Sequence, residues 1–383
     1  RPLAVAAVLH SAGKDWYEVG QLSVLEMLWH QALVIFEQFA PNSREIANVL
    51  NNLGIITKDL GNLDEAEKLL QQSLEIFERV AGRSLESASV INNLGLVALD
   101  RGHLDKAEKL FRQALEIYEA LVPDSLEMAR VINNLGIVAK DRGDIYQAEQ
   151  LYRRVLVIYE KLVPNSLLLA GILHNLGSLA SYQGDLDTAE QLLRRSLTIK
   201  NDFAPDSLDV ALTLGSLGNV AYDRGDLIRA KQLYQQALEI FMRIVPNSIY
   251  VALLHNSLGN VCLIQGDWAS AEQLYRKAMT IYEKINSKSR EAAATLGNLG
   301  LVALVQGDLG KAEKLLQQAL SIKQDLAPDS LWVAETLHNL AVVATDCGDL
   351  ARAELLYHRT LAIREKLAPN SLEVAGTLQN LAR

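Results

Sequence analysis

The sequence predicts an all-α protein, an α-solenoid of stacked helix-turn-helix hairpins, on three observations. The first is a tripeptide that returns at a fixed step of 41 residues, from Gly54 to Gly95 and from Gly95 to Gly136. It reads Asn52-Leu53-Gly54, Asn93-Leu94-Gly95, Asn134-Leu135-Gly136, Asn175-Leu176-Gly177 and Asn298-Leu299-Gly300, with Ser216-Leu217-Gly218, Ser257-Leu258-Gly259, Asn339-Leu340-Ala341 and Asn380-Leu381-Ala382 as variants. The second is a glycine that keeps the same step through Gly20, Gly61, Gly102, Gly143, Gly184, Gly225, Gly266, Gly307 and Gly348. The third is a proline at Pro41, Pro123, Pro164, Pro205, Pro246, Pro328 and Pro369, with Gly82 and Ser287 in the two remaining slots. An uninterrupted period of this kind marks structural repeats, each too small to bury its apolar face alone. The expected units are 2–42 (degenerate), 43–83, 84–124, 125–165, 166–206, 207–247, 248–288, 289–329 and 330–370. Residues 371–383 are then the first helix of a further unit, or a cap.

Within a unit each element has a local reason. In 125–165, Pro123 ends the preceding helix and Ser125 offers a hydroxyl to cap the next one. Ala129, Ile132, Leu135, Gly136 and Ala139 follow at three- and four-residue spacing, which makes one buried helical stripe. Asp141-Arg142-Gly143 stops that helix, because glycine takes the left-handed conformation of a helix end without a steric penalty. A second helix begins within about three residues. Its expected stripe is Ala148, Leu151, Val155, Leu156, Ile158 and Leu162. The hairpin therefore consists of two helices of roughly 15 and 18 residues, and neighbouring hairpins must stack to cover both stripes.

The spacing Leu135-Gly136, Gly143-Asp144, Ala148-Glu149, Val155-Leu156 and Pro164 resembles the tetratricopeptide repeat. That family's usual period is about 34 residues, so each helix here is about one turn longer. The added length, the doubled asparagine of Ile91-Asn92-Asn93-Leu94 and the Ala-Glu-x-Leu-x-x-x-Ala-Leu-x-Ile core are similar to the long repeats of kinesin light chains and of many bacterial arrays. The resemblance implies a right-handed superhelix whose first helices line a concave surface that holds peptides. It also implies frequent fusion to effector domains. One departure is visible. The aromatic usual three residues after the Leu-Gly glycine is replaced by Thr57, Ala98, Ala139, Ala180, Ala221, Cys262, Ala303 and Ala344, which predicts a narrower interface between hairpins.

Composition narrows the function classes. The 383 residues include 37 Lys+Arg and 46 Asp+Glu, a net charge of −9, which disfavours nucleic-acid and anionic-membrane binding. No apolar run reaches the ~18 residues of a membrane span, no signal segment opens the chain, and a soluble cytoplasmic protein is expected. Because the chain begins at Arg1 and stops within the repeat pattern, a piece of a longer protein is also expected. Cys262 and Cys347 are too few for a disulfide framework or a four-ligand zinc site. Cys262 takes a small buried slot, and Cys347 falls before a turn glycine where exposure is expected. The seven histidines (His10, His30, His103, His174, His255, His338, His358) show no metal-ligand spacing. His103 should be exposed, whereas His255, in an apolar slot, should be a core histidine with a hydrogen-bond partner. Trp16, Trp29, Trp268 and Trp332 break the period and are read first as fillers of local gaps. No nucleophile elbow, phosphate-binding loop or carboxylate pair departs from the repeat, so no enzyme, cofactor or metal is expected within the chain.

Two surfaces remain. The second helices carry Arg112, Arg153, Arg194 and Arg276, each with a glutamate four residues earlier (Glu108, Glu149, Glu190, Glu272), and beside them Arg154, Arg195, Lys277 and Arg359. Such a row is either a stripe for an acidic partner or a neutralised, solvated face, and the i,i+4 spacing favours the second. The first helices carry the better candidates: Asn51, Lys58, Asn92, Arg130, Asn133, Lys140, His174, Asn219, Asn256, Asn260 and His338. An asparagine amide presents both donors and acceptors, which suits an extended peptide backbone. The alternative is that Asn92, Asn133 and Asn256 brace neighbouring helices. Interleaved Leu96, Leu99, Ile137, Leu263, Leu301 and Leu304 would supply apolar anchors. A lysine-asparagine clamp for C-terminal carboxylates is not expected, since asparagine stands where it needs lysine. The leading expectation is a protein- or peptide-binding module. The alternative is the sensor region of a larger effector whose protease or nucleotide-binding domain lies outside this chain. Leu372, Leu378 and Leu381, expected to lie uncovered on the last helix, add self-association through the solenoid ends.

Overall fold

A computed structural model describes residues 2–8 and 22–382. Gly20, His10 and Trp16 lie outside the described residues, so the expectations placed on them stay as they are. Two compact units are present, Arg1–Asp185 and Leu186–Arg383. The first holds α1 (2–8), α2 (Leu22–Phe39), α3 (Arg44–Asp59), α4 (Leu63–Ala81), α5 (Leu85–Asp100), α6 (Leu104–Leu121), α7 (Leu126–Asp141), α8 (Ile145–Leu162) and α9 (Leu167–Tyr182). The second holds α10 (Leu186–Phe203), α11 (Leu208–Asp223), α12 (Leu227–Ile244), α13 (Ile249–Ile264), α14 (Trp268–Ile285), α15 (Arg290–Val305), α16 (Leu309–Leu326), α17 (Leu331–Asp346), α18 (Leu350–Leu367) and α19 (Leu372–Leu381). Among the described residues every regular element is an α-helix, and within each unit consecutive helices pack as stacked antiparallel pairs, an α-solenoid.

The caps behave as the sequence indicates. Ser125 lies in extended backbone and its Oγ accepts from the Met128 N–H at 3.1 Å. Gly143 has φ +82°, and the Asp144 N–H donates back to the Ala139 carbonyl at 2.9 Å, closing α7. Asp144 then caps α8 by accepting from the Gln147 N–H at 3.0 Å. This turn returns after α3, α5 and α7 of the first unit, and after α11, α13, α15 and α17 of the second, which is why no hairpin needs a long connection.

The core follows the first-helix stripe closely. Ala129, Ile132, Leu135, Gly136 and Ala139 are all buried, joined by Met128, Val131 and Val138. The second-helix stripe is corrected. Tyr152 and Tyr159 are buried with Ala148, Val155 and Ile158, whereas Leu151 and Leu156 are half-buried and Leu162, the last residue of α8, is exposed. The reason lies at the Leu-Gly glycine. A Cβ on Gly136 would stand 2.4 Å from the Tyr152 ring, and Gly95, Gly218 and Gly259 meet Phe111, Tyr234 and Tyr275 in the same way. The ring from the second helix thus fills the space opposite the glycine, beside the small residues noted in the sequence. On the last helix, α19, Leu372 and Leu378 are exposed as expected, but Leu381 packs partly against the core of the second unit.

Three core positions were not anticipated. The slot filled by Phe77, Tyr118, Tyr159, Phe241 and Tyr282 holds Lys200, Lys323 and Arg364 in the second unit, all buried. Each is matched by a threonine: Lys200 Nζ donates to Thr213 Oγ1 at 2.9 Å, Lys323 Nζ to Thr336 Oγ1 at 2.7 Å, and Arg364 Nη1 to Thr377 Oγ1 at 2.6 Å. A backbone carbonyl takes a further donor in every case, so the cationic groups keep hydrogen-bond partners in the core. Lys323 also lies 4.7 Å from the centroid of the Trp332 ring, which Arg290 approaches from 5.5 Å.

Candidate functional site

The repeat places the candidate residues in register on the flank of each first helix. In the first unit Asn51 lies on α3, Asn92 on α5, Asn133 on α7 and His174 on α9, all in one slot and all half-buried. Lys58 and Lys140 share a second slot near the ends of α3 and α7, and Arg130 stands exposed near the start of α7. In the second unit Asn256 and His338 continue the first slot on α13 and α17, while Asn219 and Asn260 hold another on α11 and α13.

The asparagines are engaged with their neighbours. Asn93 Nδ2 donates to Asn51 Oδ1 at 2.8 Å, Asn134 to Asn92 at 2.9 Å and Asn175 to Asn133 at 3.1 Å, so successive first helices are pinned amide to amide. In the second unit Asn256 Oδ1 accepts from Thr295 Oγ1 at 3.0 Å and from Asn298 Nδ2 at 3.4 Å. Asn260 Oδ1 accepts from the Tyr275 hydroxyl at 2.8 Å and from Asn298 Nδ2 at 3.0 Å, and Asn219 Oδ1 accepts from the Tyr234 hydroxyl at 2.8 Å. The bracing role is therefore real. In the first unit each such bond uses one of two oxygen lone pairs on Asn51, Asn92 or Asn133 and neither of that residue's own amide hydrogens. The same side chain has capacity for a ligand as well as for its neighbour.

The charged candidates divide. Lys58 Nζ meets Asp59 at 2.8 Å and Asp100 at 3.5 Å. Burial pulls its pKa down, but the two carboxylates outweigh it and hold the ammonium above its ordinary value. Lys140 pairs with Asp141 at 3.7 Å and remains exposed. His338 packs edge-on to Tyr357 with ring centroids 5.5 Å apart. Burial, and then the charge of Arg364, keep its imidazole below the usual range. Leu96, Leu99, Ile137, Leu263, Leu301 and Leu304 are half-buried.

His255 is buried but its Nδ1 has no hydrogen-bond partner, which corrects the expected satisfied core histidine. The slot is apolar in the adjacent repeats, which hold Leu214 and Leu296 there. Cys262 is buried, which pushes its thiol up, and Cys347 is exposed. Trp29 is buried, in line with a gap-filling role. Among the described residues no group of three His, Cys, Asp or Glu side chains could hold a metal ion. The second-helix arginines pair as the spacing indicates: Arg112–Glu108 at 2.7 Å, and Arg153–Glu149, Arg194–Glu190 and Arg276–Glu272 at 2.8 Å. That face is neutralised. Among the described residues no helix is long and apolar enough to cross a membrane.

Comparisons with known proteins agree with this fold. Among solved structures, the chain is similar to BtubC (BKLC) from P. vanneervenii at 22% identity, with a TM-score of 0.50 over 60% of this chain and 91% of that one. It is similar to a signal transduction ATPase with numerous domains and a tetratricopeptide repeat sensor from Pyrococcus horikoshii, at 17% identity and a TM-score of 0.65. That match covers 93% of this chain and 51% of the Pyrococcus protein. A Rap protein complexed with competence and sporulation factor matches at 16% identity and a TM-score of 0.62, over 89% of this chain and 97% of that one. No curated protein matches the sequence. The tetratricopeptide repeat model matches residues 26–120, 127–202, 209–284, 250–325 and 291–366, and the chain belongs to the tetratricopeptide repeat family.

Proposed function

We propose that this chain is a protein-interaction module, without catalytic chemistry of its own, that holds an extended peptide or a segment of a partner protein against the flanks of its first helices. The observation that carries the reading is the register of Asn51, Asn92 and Asn133 with Lys58, Arg130 and Lys140 on one face of α3, α5 and α7. An extended backbone offers alternating carbonyls and amides, and a row of carboxamides meets both. The half-buried leucines between them supply apolar pockets, so affinity would come from a few side chains rather than from net charge. The Rap protein seen with competence and sporulation factor has the same fold, which supports a bound partner as occupant.

The test must separate ligand contact from bracing. A partner captured from the source cell's lysate is titrated against the parent chain, an Arg130→Ala/Lys140→Ala variant, an Asn92→Ala/Asn133→Ala variant and an Asn93→Ala/Asn134→Ala variant. Asn93 and Asn134 donate the bracing bonds, whereas Arg130 and Lys140 are exposed. Binding is expected to fall in the first two variants and to persist in the third, with helicity unchanged by circular dichroism. Equal retention by all three would remove the groove from consideration.

A second reading takes the repeats as the sensor region of a larger effector whose protease or nucleotide-binding domain lies outside this chain. It draws on the Pyrococcus horikoshii protein, of which a chain this size matches about half. Sequencing the flanking reading frame decides it: a frame that adds no such domain on either side removes this reading.

A further inference from the structure

Two slots that carry ion pairs in some repeats carry exposed apolar side chains in others: Tyr146 and Tyr182 in the first unit, and Ile228, Ile264 and Val305 in the second. At the ends of the first helices of unit one stand Asp59, Asp100 and Asp141, with Lys58 bridging the first two. The next residue, Arg101 or Arg142, reaches back to the start of the preceding second helix, to Asp64 at 2.6 Å or Asp105 at 2.5 Å. The second unit repeats this staple once, between Arg224 and Asp187. One repeat further on, the same two slots hold Gln265 and Ile228, and after that Gln306 and Ala269. Both members change together each time. The first unit shows one such change too, at Gln183 and Tyr146. In the second unit the aspartate slot holds Ile264 and Val305 between Asp223 and Asp346, and the Lys58 slot, already Leu99 in the first unit, holds Tyr222, Leu263 and Leu304.

The fold itself does not use these side chains. Ile228 is 70% exposed, Ile264 57% and Val305 55%, so they gain little from burial. As β-branched residues in helices they gain nothing in propensity. The register that sets Arg101 against Asp64 sets Gln265 against Ile228, so Ile228 and Ile264 share one edge, with half-buried Leu263 and Leu304 continuing it toward Val305. The rim of that edge is acidic. Asp223, Asp226, Asp267, Asp308 and Asp346 are all exposed, and the Ser270 side chain and backbone hold Asp267 below the usual carboxylate range. The nearby cations are committed elsewhere: Arg224 to Asp187 and Glu190, Arg229 to Glu190, Lys311 to Glu272. Lys231 is the cation whose field reaches Asp267.

We infer that the turn edge of the second unit, centred on Ile228, Ile264 and Val305, is a docking surface for a cationic amphipathic segment of another protein. Its apolar face lies on the branched side chains and its lysines or arginines face Asp226, Asp267 and Asp308. This surface lies at the helix ends and shares Leu263 and Leu304 with the groove, whereas Ile228, Ile264, Val305 and the aspartate rim belong to it alone, so its test does not use the asparagine rows. An anionic membrane or a nucleic acid would be repelled by the same rim.

The test uses a fluorescein-labelled helical peptide of leucine and lysine, its leucine-glutamate counterpart, and a polylysine control, each titrated by anisotropy. The variant is Ile264→Asp/Val305→Asp, which installs the residue this chain already carries at Asp100 and Asp223, so folding is expected and is checked by circular dichroism. A second variant, Ile228→Asp/Gln265→Arg, reinstates the staple. The leucine-lysine peptide is expected to bind the parent, and to bind either variant at least ~10-fold more weakly, since one variant loses two apolar anchors and the other loses one. The glutamate peptide and polylysine are expected not to bind. Equal affinity for parent and variants, equal affinity for all three probes, or no binding by the parent would each overturn the inference.

Discussion

His255 shows how one side chain can work against the fold that contains it. It sits at an apolar core slot, buried, with Nδ1 unpartnered. Burial, and secondarily the charge of Lys277, hold its pKa below the ordinary value. The folded state therefore prefers the neutral ring, while the unfolded chain takes up a proton as pH falls through about 6.5. Stability attached to this residue is complete above that pH and is lost on acidification below it. His255→Leu, the residue found at Leu214 and Leu296, is expected to raise the unfolding free energy near neutral pH by about 1–3 kcal/mol, the cost of an unsatisfied buried polar atom. It is also expected to flatten the decline in stability on the acid side. Urea unfolding of parent and variant at a series of pH values checks both, and an unchanged acid slope would count against this account. The burial was legible in the sequence, because the slot is apolar elsewhere. The missing partner was not, since hydrogen bonding depends on what the neighbouring hairpin presents.

At the scale of elements, the hairpin is closed by contact between a helix backbone and a ring. Gly136 lets α7 approach α8 until the Tyr152 ring occupies the space a Cβ would take. Gly171 on α9 is a contrast, because a Cβ there would meet nothing within 4 Å. Gly136→Ala is expected to lower stability by about 1–3 kcal/mol through overpacking, and Gly171→Ala to raise it by about 0.5–1 kcal/mol by restricting the unfolded chain and favouring helix. Thermal unfolding of the two variants distinguishes opposite signs. Equal shifts would mean that helix propensity alone governs these positions. The Leu-Gly signature was visible from sequence, but its ring partner sits 16 positions further on, from Gly136 to Tyr152, on a different helix. No local periodicity links them, and the expected second-helix stripe accordingly passed over Tyr152 and Tyr159.

At the scale of the whole molecule, the repeats are joined by polar devices that recur with the period. Arg142 grips both Asp105 and Glu108 of the preceding hairpin, and Arg101 grips Asp64 and Glu67. The hydrogen bond from Arg112, burial acting against it, and then Arg142 leave Glu108 below its usual range, so the carboxylate stays ionised at neutral pH. Because these pairs are partly solvated, each is worth little alone: Arg142→Gln is expected to cost about 0.5–1 kcal/mol at low salt. The difference should shrink toward zero near 1 M salt, where screening acts within about 3 Å. Unfolding of parent and variant across a salt series measures it, and a salt-independent difference would point to packing of the arginine stem instead. The chain's net charge of −9 leaves this network with an acidic surplus.

The sequence by itself determined the period, the helical class, the serine and glycine caps and the neutralised arginine row, because each follows from residues within one turn or one fixed step of each other. It also placed Asn51, Asn92, Asn133 and the other candidates on one helical flank. Only the tertiary structure decided what those asparagines touch, since their partners Asn93, Asn134 and Asn175 come from the next hairpin. The same holds for the buried Lys323 with Thr336, for Tyr152 over Gly136, and for the edge where Ile228 replaces an ion pair. Each joins residues on different helices, and helical spacing describes one helix at a time, whereas the free energy of a solenoid resides in the contacts between them.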